Sequence, residues 1–142
     1  MRAFILKYLR DRFSIQKKIF SNYSFIIKGE KIWIVYKDVL EKNLDGLNIE
    51  SVGLLFGRYF KRQERFKPTT NALQIFGRYA TKNIVELNEK EKDMYIKGYD
   101  LEKKLNLEEG YVIIKFKNDI LGCGLYRNGK IKNQIPKARK IF

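Results

Sequence analysis

The sequence predicts an α+β protein in which short strands and amphipathic helices follow one another along the chain. Two apolar, β-branched runs, residues 111–116 and 120–126, predict strands. Apolar side chains at helical spacing predict a helix over residues 2–12. Asn128 and Gly129 predict a tight hairpin, because a type I′ turn needs a positive φ at both central residues. With 142 residues and 44% hydrophobic content, the chain can bury a packed core.

A second hairpin is predicted in the N-terminal half. Two apolar runs lie on either side of Gly29 and Glu30, which are typical turn residues in such a position. Trp33 lies in the middle of the second run, and we interpret it as a core residue rather than as a platform for stacked bases. Ser14 is expected to cap a short helical turn over residues 15–20.

The second half begins with a proline that interrupts the preceding segment, and two helix signals follow it. Pro68 interrupts the preceding basic stretch, and the apolar pattern that follows predicts a helix over residues 71–80. Asn88 and Glu91 have the spacing of a capping box, and Gly98 is a typical residue just past a helix end. We therefore expect a second helix between Asn88 and Gly98.

The charge of the chain favours a polyanionic partner. The formal net charge is +14 and the isoelectric point about 9.8, with both halves of the chain basic. A charge of this size destabilises a compact protein through self-repulsion, and nucleic acid is the partner that compensates it most directly. The alternative is a solvated surface in a proteome rich in lysine and isoleucine.

Several kinds of chemistry have no support in the sequence. The chain has no histidine, which excludes Ser–His and Cys–His nucleophile pairs and histidine-containing zinc sites. Cys123, the single cysteine, lies between two glycines of a predicted strand and is interpreted as a small buried hydrophobe. Neither a glycine-rich phosphate loop nor a signal peptide is present. We expect no enzyme activity, no cofactor, no metal, no membrane span and a cytoplasmic location.

Two segments carry the cations of interest. Residues 58–68 interleave basic and aromatic side chains, which can neutralise phosphates and stack on bases. The alternative for this segment is a strand rim whose aromatic side chains point inward. The second segment runs from Leu125 to the end and has six Lys or Arg and no acid. A nucleic-acid interface requires both segments to lie beside one another on a single exposed surface, which is what we expect.

The C-terminal segments also resemble a known module. The motifs are Gly-Tyr-Val-Ile-Ile at 110–114, Leu-Gly-Cys-Gly at 121–124, Gly-Lys-Ile-Lys-Asn at 129–133 and Pro-Lys-Ala-Arg at 136–139. Together they resemble the PUA-like RNA-binding domain at the C-terminus of the Nop/Sun (Fmu, RsmF-type) RNA cytosine methyltransferases. Tyr-Ile-Lys-Gly at 95–98 is similar to a helix end of that family. Ala138 departs from the family pattern, which has glycine there.

The resemblance implies a PUA-like mixed β pseudo-barrel with flanking helices over residues 68–142. A small α/β half-domain would precede it over residues 1–67. The chain is too short for an S-adenosylmethionine-binding domain as well, so the resemblance implies a free-standing RNA-binding protein. Its RNA would be structured rRNA or tRNA, and its role an accessory one in ribosome biogenesis or RNA modification. The alternative is an adaptor that docks a separately encoded methyltransferase or another ribosome-assembly protein.

The expected RNA-binding residues are the cations of the two segments and one amide. They are Arg58, Lys61, Arg62, Arg65, Arg127, Lys130, Lys132, Asn133, Lys137, Arg139 and Lys140. Lysine and arginine would contact phosphates, whereas the Asn133 amide would read a base edge or a ribose hydroxyl.

Overall fold

The computed structural model describes residues 1–41 and 52–136. The helices are α1 (Arg2–Phe13), α2 (Lys37–Glu41), α3 (Thr70–Phe76) and α4 (Glu89–Ile96). The strands are β1 (Tyr23–Lys28), β2 (Lys31–Tyr36), β3 (Leu54–Phe60), β4 (Arg65–Pro68), β5 (Ile84–Glu86), β6 (Leu101–Glu102), β7 (Gly110–Phe116), β8 (Asp119–Arg127) and β9 (Lys130–Asn133). Short 3₁₀ turns cover Lys17–Phe20, Lys61–Gln63 and Gly77–Tyr79. No helix in the described ranges is long and apolar enough to cross a bilayer.

The strands form two sheets, which confirms the predicted α+β class. The N-terminal sheet is antiparallel and has the order β1-β2-β3-β4. The C-terminal sheet has the order β5-β7-β8-β9-β6, in which β5 and β7 are parallel and the other pairs are antiparallel. This mixed sheet with its flanking helices agrees with the pseudo-barrel that the resemblance implies.

One hydrophobic core joins the two sheets. Its members come from α1, from the inner face of the N-terminal sheet, from α3 and from the C-terminal sheet; they include Leu9, Phe13, Ile32, Phe56, Phe66, Phe76, Tyr111, Ile113 and Cys123. Helix α3 packs against both β3 and β8. The boundary expected between residues 67 and 68 thus falls inside β4, and it stays a prediction.

The hairpin turn and the helix cap predicted from neighbouring residues are confirmed. Asn128 and Gly129 have φ values of 53° and 73°, as a type I′ turn requires. The capping box at the start of α4 is complete. Asn88 Oδ1 accepts from the Glu91 backbone N–H at 2.8 Å, and Glu91 Oε1 accepts from the Asn88 N–H at 3.0 Å.

Two local predictions are wrong in detail. Ser14 does not cap a following helix; it ends α1 in the left-handed conformation, with φ 57°, and its N–H donates to Arg10 O. The helix predicted over residues 71–80 is α-helical only through Phe76 and then tightens into a 3₁₀ turn. The buried Gly77 lies at this change, where a Cβ would lie 2.8 Å from Ile120 Cδ1. The glycine therefore lets this turn pack closely on β8.

The glycines around Cys123 allow close packing, as expected. A Cβ on Gly124 would lie 2.5 Å from Ile131 Cγ2, and one on Gly122 would lie 2.8 Å from the Tyr95 hydroxyl. That hydroxyl donates to Cys123 O at 2.7 Å. The Cys123 thiol is fully buried, and burial raises its pKa to about 12. It is therefore protonated at neutral pH and is no nucleophile.

Phe13→Ala is expected to destabilise both sheets together. Phe13 is fully buried in the shared core, and loss of such a ring costs about 3–5 kcal/mol. Trp33 fluorescence would report unfolding of the N-terminal sheet in urea, and amide NMR signals of Val112 and Ile113 would report unfolding of the C-terminal sheet. We expect both transitions to shift to lower urea and to stay coincident.

Ile27→Ala is the control for this measurement, because Ile27 is 49% exposed on β1. It should leave the midpoint nearly unchanged. Survival of the Val112 and Ile113 signals beyond the Trp33 transition would show that the C-terminal sheet does not need the shared core.

Candidate nucleic-acid interface

A row of like charges crosses the whole N-terminal sheet. The strand register places Lys28 opposite Lys31, Lys31 opposite Arg58, and Arg58 opposite Lys67. Residues directly opposite one another share a face of the sheet, so these four cations form one line, which we call the basic row. Direct like-charge neighbours destabilise a sheet, and their long side chains carry the charge out to solvent.

The basic row leads to the C-terminal sheet. Burial lowers the pKa of Lys67, and the positive charges of Arg65, Arg58 and Lys132 lower it further. Lys132 on β9 is paired with Leu125 on β8, and Leu125 is paired with Tyr111 on β7. The three side chains therefore lie on the same face of the C-terminal sheet. The edge strand β4 therefore lies against the face of the C-terminal sheet that carries Lys132.

These cations have no carboxylate partners within the described ranges. The ion pairs there involve other basic residues, among them Lys7, Arg10, Lys92 and Lys103. Arg58, Arg65, Lys67, Arg127 and Lys132 form none with residues 1–41 or 52–136. Within this part of the chain, no ion pair therefore neutralises any of these five cations.

A groove runs along that junction. It has a volume of about 450 Å³ and is lined by Tyr8, Arg12, Gln63, Glu64, Arg65, Phe66, Glu109, Gly110, Tyr111, Leu125 and Arg127. We call it the seam groove. The Arg65 guanidinium lies 4.8 Å from the Phe60 ring centre and 5.9 Å from that of Tyr111. Two aromatic rings thus hold the guanidinium at the wall of the groove.

A second groove continues from the first past Leu125 and Arg127, which line both. Its volume is about 330 Å³, and its other lining residues are Asp100, Asn128, Lys130 and Lys132. Arg127 is exposed at the end of β8 and stands between the two grooves. Both grooves and the end of the basic row thus form one surface.

The structure brings together some of the expected residues of the two segments. Arg58, Arg65 and Lys132 all act electrostatically on Lys67, and Arg65 and Arg127 line the same groove. Lys61 and Arg62 are exposed in the turn between β3 and β4, and neither lines that groove, whose lining in this segment begins at Gln63. Lys137, Arg139 and Lys140 lie outside the described residues.

The C-terminal hairpin does not carry a single sign of charge in three dimensions. Strand β6 pairs with β9 and places the Glu102 carboxylate 3.6 Å from Lys130 Nζ. Both side chains are largely exposed, so this contact is weak. Glu109 also approaches the hairpin, where its carboxylate accepts from the Asn128 N–H at 2.8 Å. Acids distant in sequence therefore border the cations, which a count along the chain could not show.

Asn133 has a structural use that the sequence did not suggest. Its side-chain amide donates to Tyr95 O at 2.8 Å and to Tyr99 O at 3.0 Å. Its Oδ1 accepts from the Ile135 N–H at 2.9 Å. Both amide hydrogens expected to read RNA are thus used within the chain, where they tie the end of β9 to the end of α4.

Three cations of the basic row were missed by the sequence analysis: Lys28, Lys31 and Lys67. Lys28 and Lys31 flank the predicted turn at Gly29 and Glu30, so the hairpin itself was a usable signal for their pairing. Their alignment with Arg58 depends on the register between β2 and β3, which contains an irregularity after Ile32. No local pattern specifies that register.

Parts of the chain match known proteins. Residues 82–141 match the family model described as the methyltransferase RsmF PUA domain, and residues 1–53 match a family of unknown function, DUF7122. The chain is also 26% identical over 110 residues to the ribosomal RNA small subunit methyltransferase F of Aeromonas hydrophila subsp. hydrophila. The alignment covers 78% of this chain and 22% of that enzyme, so the chain spans about a fifth of the length of its relative.

The matched region of the RsmF domain begins before β5 and includes α4, the whole C-terminal sheet and the lining of the second groove. The seam groove is lined partly by this region and partly by residues of α1 and of the turn and strand around β4. The earlier resemblance rested on motifs in the same strands, and the family model supports it independently. Residues 82–141 are thus a PUA-like domain of the kind that Nop/Sun RNA methyltransferases of the RsmF type carry.

Proposed function

We propose that this chain binds structured RNA, either rRNA or tRNA, as an accessory factor in ribosome biogenesis or RNA modification in the cytoplasm. The observation that carries the proposal is the meeting of the basic row with the exposed cations of the PUA-like domain. Arg58, Lys67 and Lys132 would contact phosphates at this junction, with Lys28 and Lys31 extending the track. Lys61, Arg62, Lys130, Lys137, Arg139 and Lys140 would add further phosphate contacts.

The physical basis of this proposal is electrostatic. Cations that neutralise phosphates release condensed counterions from the nucleic acid, and the binding constant gains from this release. The same cations repel one another in the free protein, which lowers the stability of the fold. Bound RNA would reduce this repulsion. No chemical step is assigned to the chain, since its one thiol is buried and protonated.

Lys67→Ala combined with Lys132→Ala is expected to weaken RNA binding and to flatten its salt dependence. Each lost phosphate contact lowers the slope of log K against log salt by about one, so the double variant should lose about two. Fluorescence anisotropy with a tRNA transcript and an rRNA fragment, over a titration of potassium chloride, measures this slope.

Lys90→Ala combined with Lys97→Ala is the charge-matched control. Lys90 lies on α4 and Lys97 at its C-terminus, and both are exposed. This variant loses the same net charge but should keep nearly the wild-type slope. Equal slopes in the two double variants would mean that the junction of the sheets is not the RNA site.

Lys67→Gln is expected to stabilise the fold while weakening RNA binding. The folded-state pKa of Lys67 is below its ordinary value of 10.5, so the unfolded state holds its proton more tightly. Wild-type stability should therefore gain a contribution as pH rises from the folded pKa towards 10.5, and the variant should lack that gain. Urea denaturation from pH 8 to 10.5 would show the difference between the two proteins shrinking with pH.

The RNA affinity of the wild type should depend on pH in the opposite direction, again because of Lys67. RNA favours the charged form of Lys67 and raises its pKa, so wild-type affinity should fall as pH passes through the folded pKa. Lys67→Arg, which stays charged, should keep its affinity over that range. A Lys67→Gln protein that is less stable than wild type at pH 8 would contradict the repulsion on which this argument rests.

A second candidate function is an adaptor for a catalytic partner supplied in trans. It is supported by an apolar patch near the ends of β1 and β2, where Tyr36 is 59% exposed and Ile75 is 47% exposed. Tyr23 stacks on Tyr36 at 4.8 Å, and all three line a shallow groove of about 290 Å³. Protein surfaces of this kind are typical of interaction sites.

Tyr36→Ser combined with Ile75→Ser tests the adaptor. If a Nop/Sun catalytic domain docks on this patch, the variant should lose at least tenfold in affinity for that domain by calorimetry. Its RNA binding should stay unchanged, because the patch carries none of the cations of the basic row. Absence of any complex with the wild-type chain would remove this candidate.

A further inference from the structure

Two polar groups of the seam groove are buried without a partner. The Tyr8 hydroxyl and the Arg65 Nε are inaccessible to solvent and make no hydrogen bond within the described residues. Burial raises the pKa of the Tyr8 hydroxyl, so it is a neutral donor at physiological pH. Buried donors are nearly always paired in folded proteins, and because Tyr8 and Arg65 both line the groove, an acceptor bound there is the partner available to them.

The charges around these donors favour an anion. Burial raises the pKa of the Tyr111 hydroxyl, and the positive charges of Arg65 and Arg127 oppose that rise. The Arg65 guanidinium lies 5.9 Å from the Tyr111 ring centre, and Arg127 lines the same groove. Arg12 adds a third positive charge; its Nε donates to Tyr111 O at 2.7 Å and its Nη2 to Glu108 O at 3.1 Å. Three guanidinium groups therefore line the groove, and contacts within the chain hold those of Arg12 and Arg65.

Two carboxylates are also present at the rim. Glu109 is held by the Asn128 N–H, and Glu64 is exposed in the left-handed position that follows the turn between β3 and β4. The lining thus has an excess of one positive charge. A dianionic or monoanionic phosphate fits the arginine side, and the carboxylates could accept hydrogen bonds from a sugar or a base attached to it.

The buried position of the Tyr8 hydroxyl and of Arg65 Nε favours unpaired RNA over paired RNA as the ligand. In a duplex the phosphates lie on a convex backbone that cannot reach a buried tyrosine hydroxyl between two sheets. A nucleotide turned out of a helix can enter a concave site, and a volume of about 450 Å³ suits one nucleotide rather than a helix. We propose that the seam groove holds the phosphate of one unpaired nucleotide, a subsite that rests on the RNA-binding function proposed above.

A titration with cytidine 5′-monophosphate tests the groove without RNA. In NMR spectra the signals of Gly110, Arg65 Nε and Arg127 Nε should shift and saturate, whereas cytidine without phosphate should leave them in place. Inorganic phosphate should shift the same signals more weakly. Equal shifts with cytidine and its monophosphate, or none with either, would overturn the proposal.

Tyr8→Phe separates this subsite from the rest of the interface. The variant removes one hydroxyl and no charge, so it should fold at least as stably as wild type, because it deletes a buried unpaired group. Its affinity for cytidine 5′-monophosphate should fall about tenfold. Tyr99→Phe is the matched control, since Tyr99 is 60% exposed and does not line the groove.

Two RNAs of equal length distinguish failure of the subsite from failure of the proposed function. One is a perfectly paired hairpin and the other contains a single bulged nucleotide. The wild type should bind the bulged RNA about tenfold more tightly, and Tyr8→Phe should bind both equally. Equal wild-type binding to both would overturn the subsite and leave RNA binding standing. Saturable binding of the monophosphate without binding of either RNA would uphold the groove and overturn the proposed function.

Discussion

The packing of β4 against the C-terminal sheet is the constraint on which the other features depend. Tyr111 belongs to the core shared by both sheets, Leu125 packs against that core, and Lys132 continues their row at the surface. The hydrophobic contact therefore sets how far Lys132 lies from Lys67. Arg12 ties α1 to the same sheet by a hydrogen bond from its Nε to Tyr111 O in β7. Charge repulsion at the surface is tolerated because apolar burial beneath it fixes the distance.

At particular residues this arrangement lowers the stability of the fold while it suits the proposed polyanion binding. A protein selected only for stability would not align Lys31, Arg58 and Lys67 on adjacent strands, since each direct pair is unfavourable. Salt and bound polyanions both relieve this repulsion, but only a polyanion that matches the row does so with specific geometry. The unpaired Tyr8 hydroxyl in the seam groove is a second cost in the same part of the molecule.

The sequence specified those parts of the fold that local chemistry decides. The Asn128-Gly129 turn and the Asn88 capping box were predictable because their partners lie within a few residues. The basic row was not, because it depends on the pairing of β2 with β3 across a long connection. The Asn133 contacts escaped prediction for a similar reason: their partners, Tyr95 and Tyr99, lie 38 and 34 residues earlier. Counting charges along a sequence does not show in which register two strands pair, and so does not show which charges lie side by side.

The grooves and the row suggest how one RNA could use the whole surface. Arg127 lines both grooves, so a strand that leaves the seam groove passes it before it reaches Lys132. The basic row begins with Lys67, on which Lys132 acts electrostatically, and crosses the other sheet from strand to strand. A helix lying along the row with one nucleotide turned into the groove satisfies both geometries at once. An RNA with only one of these features would leave part of the positive surface unneutralised, so recognition would follow from shape rather than from base sequence.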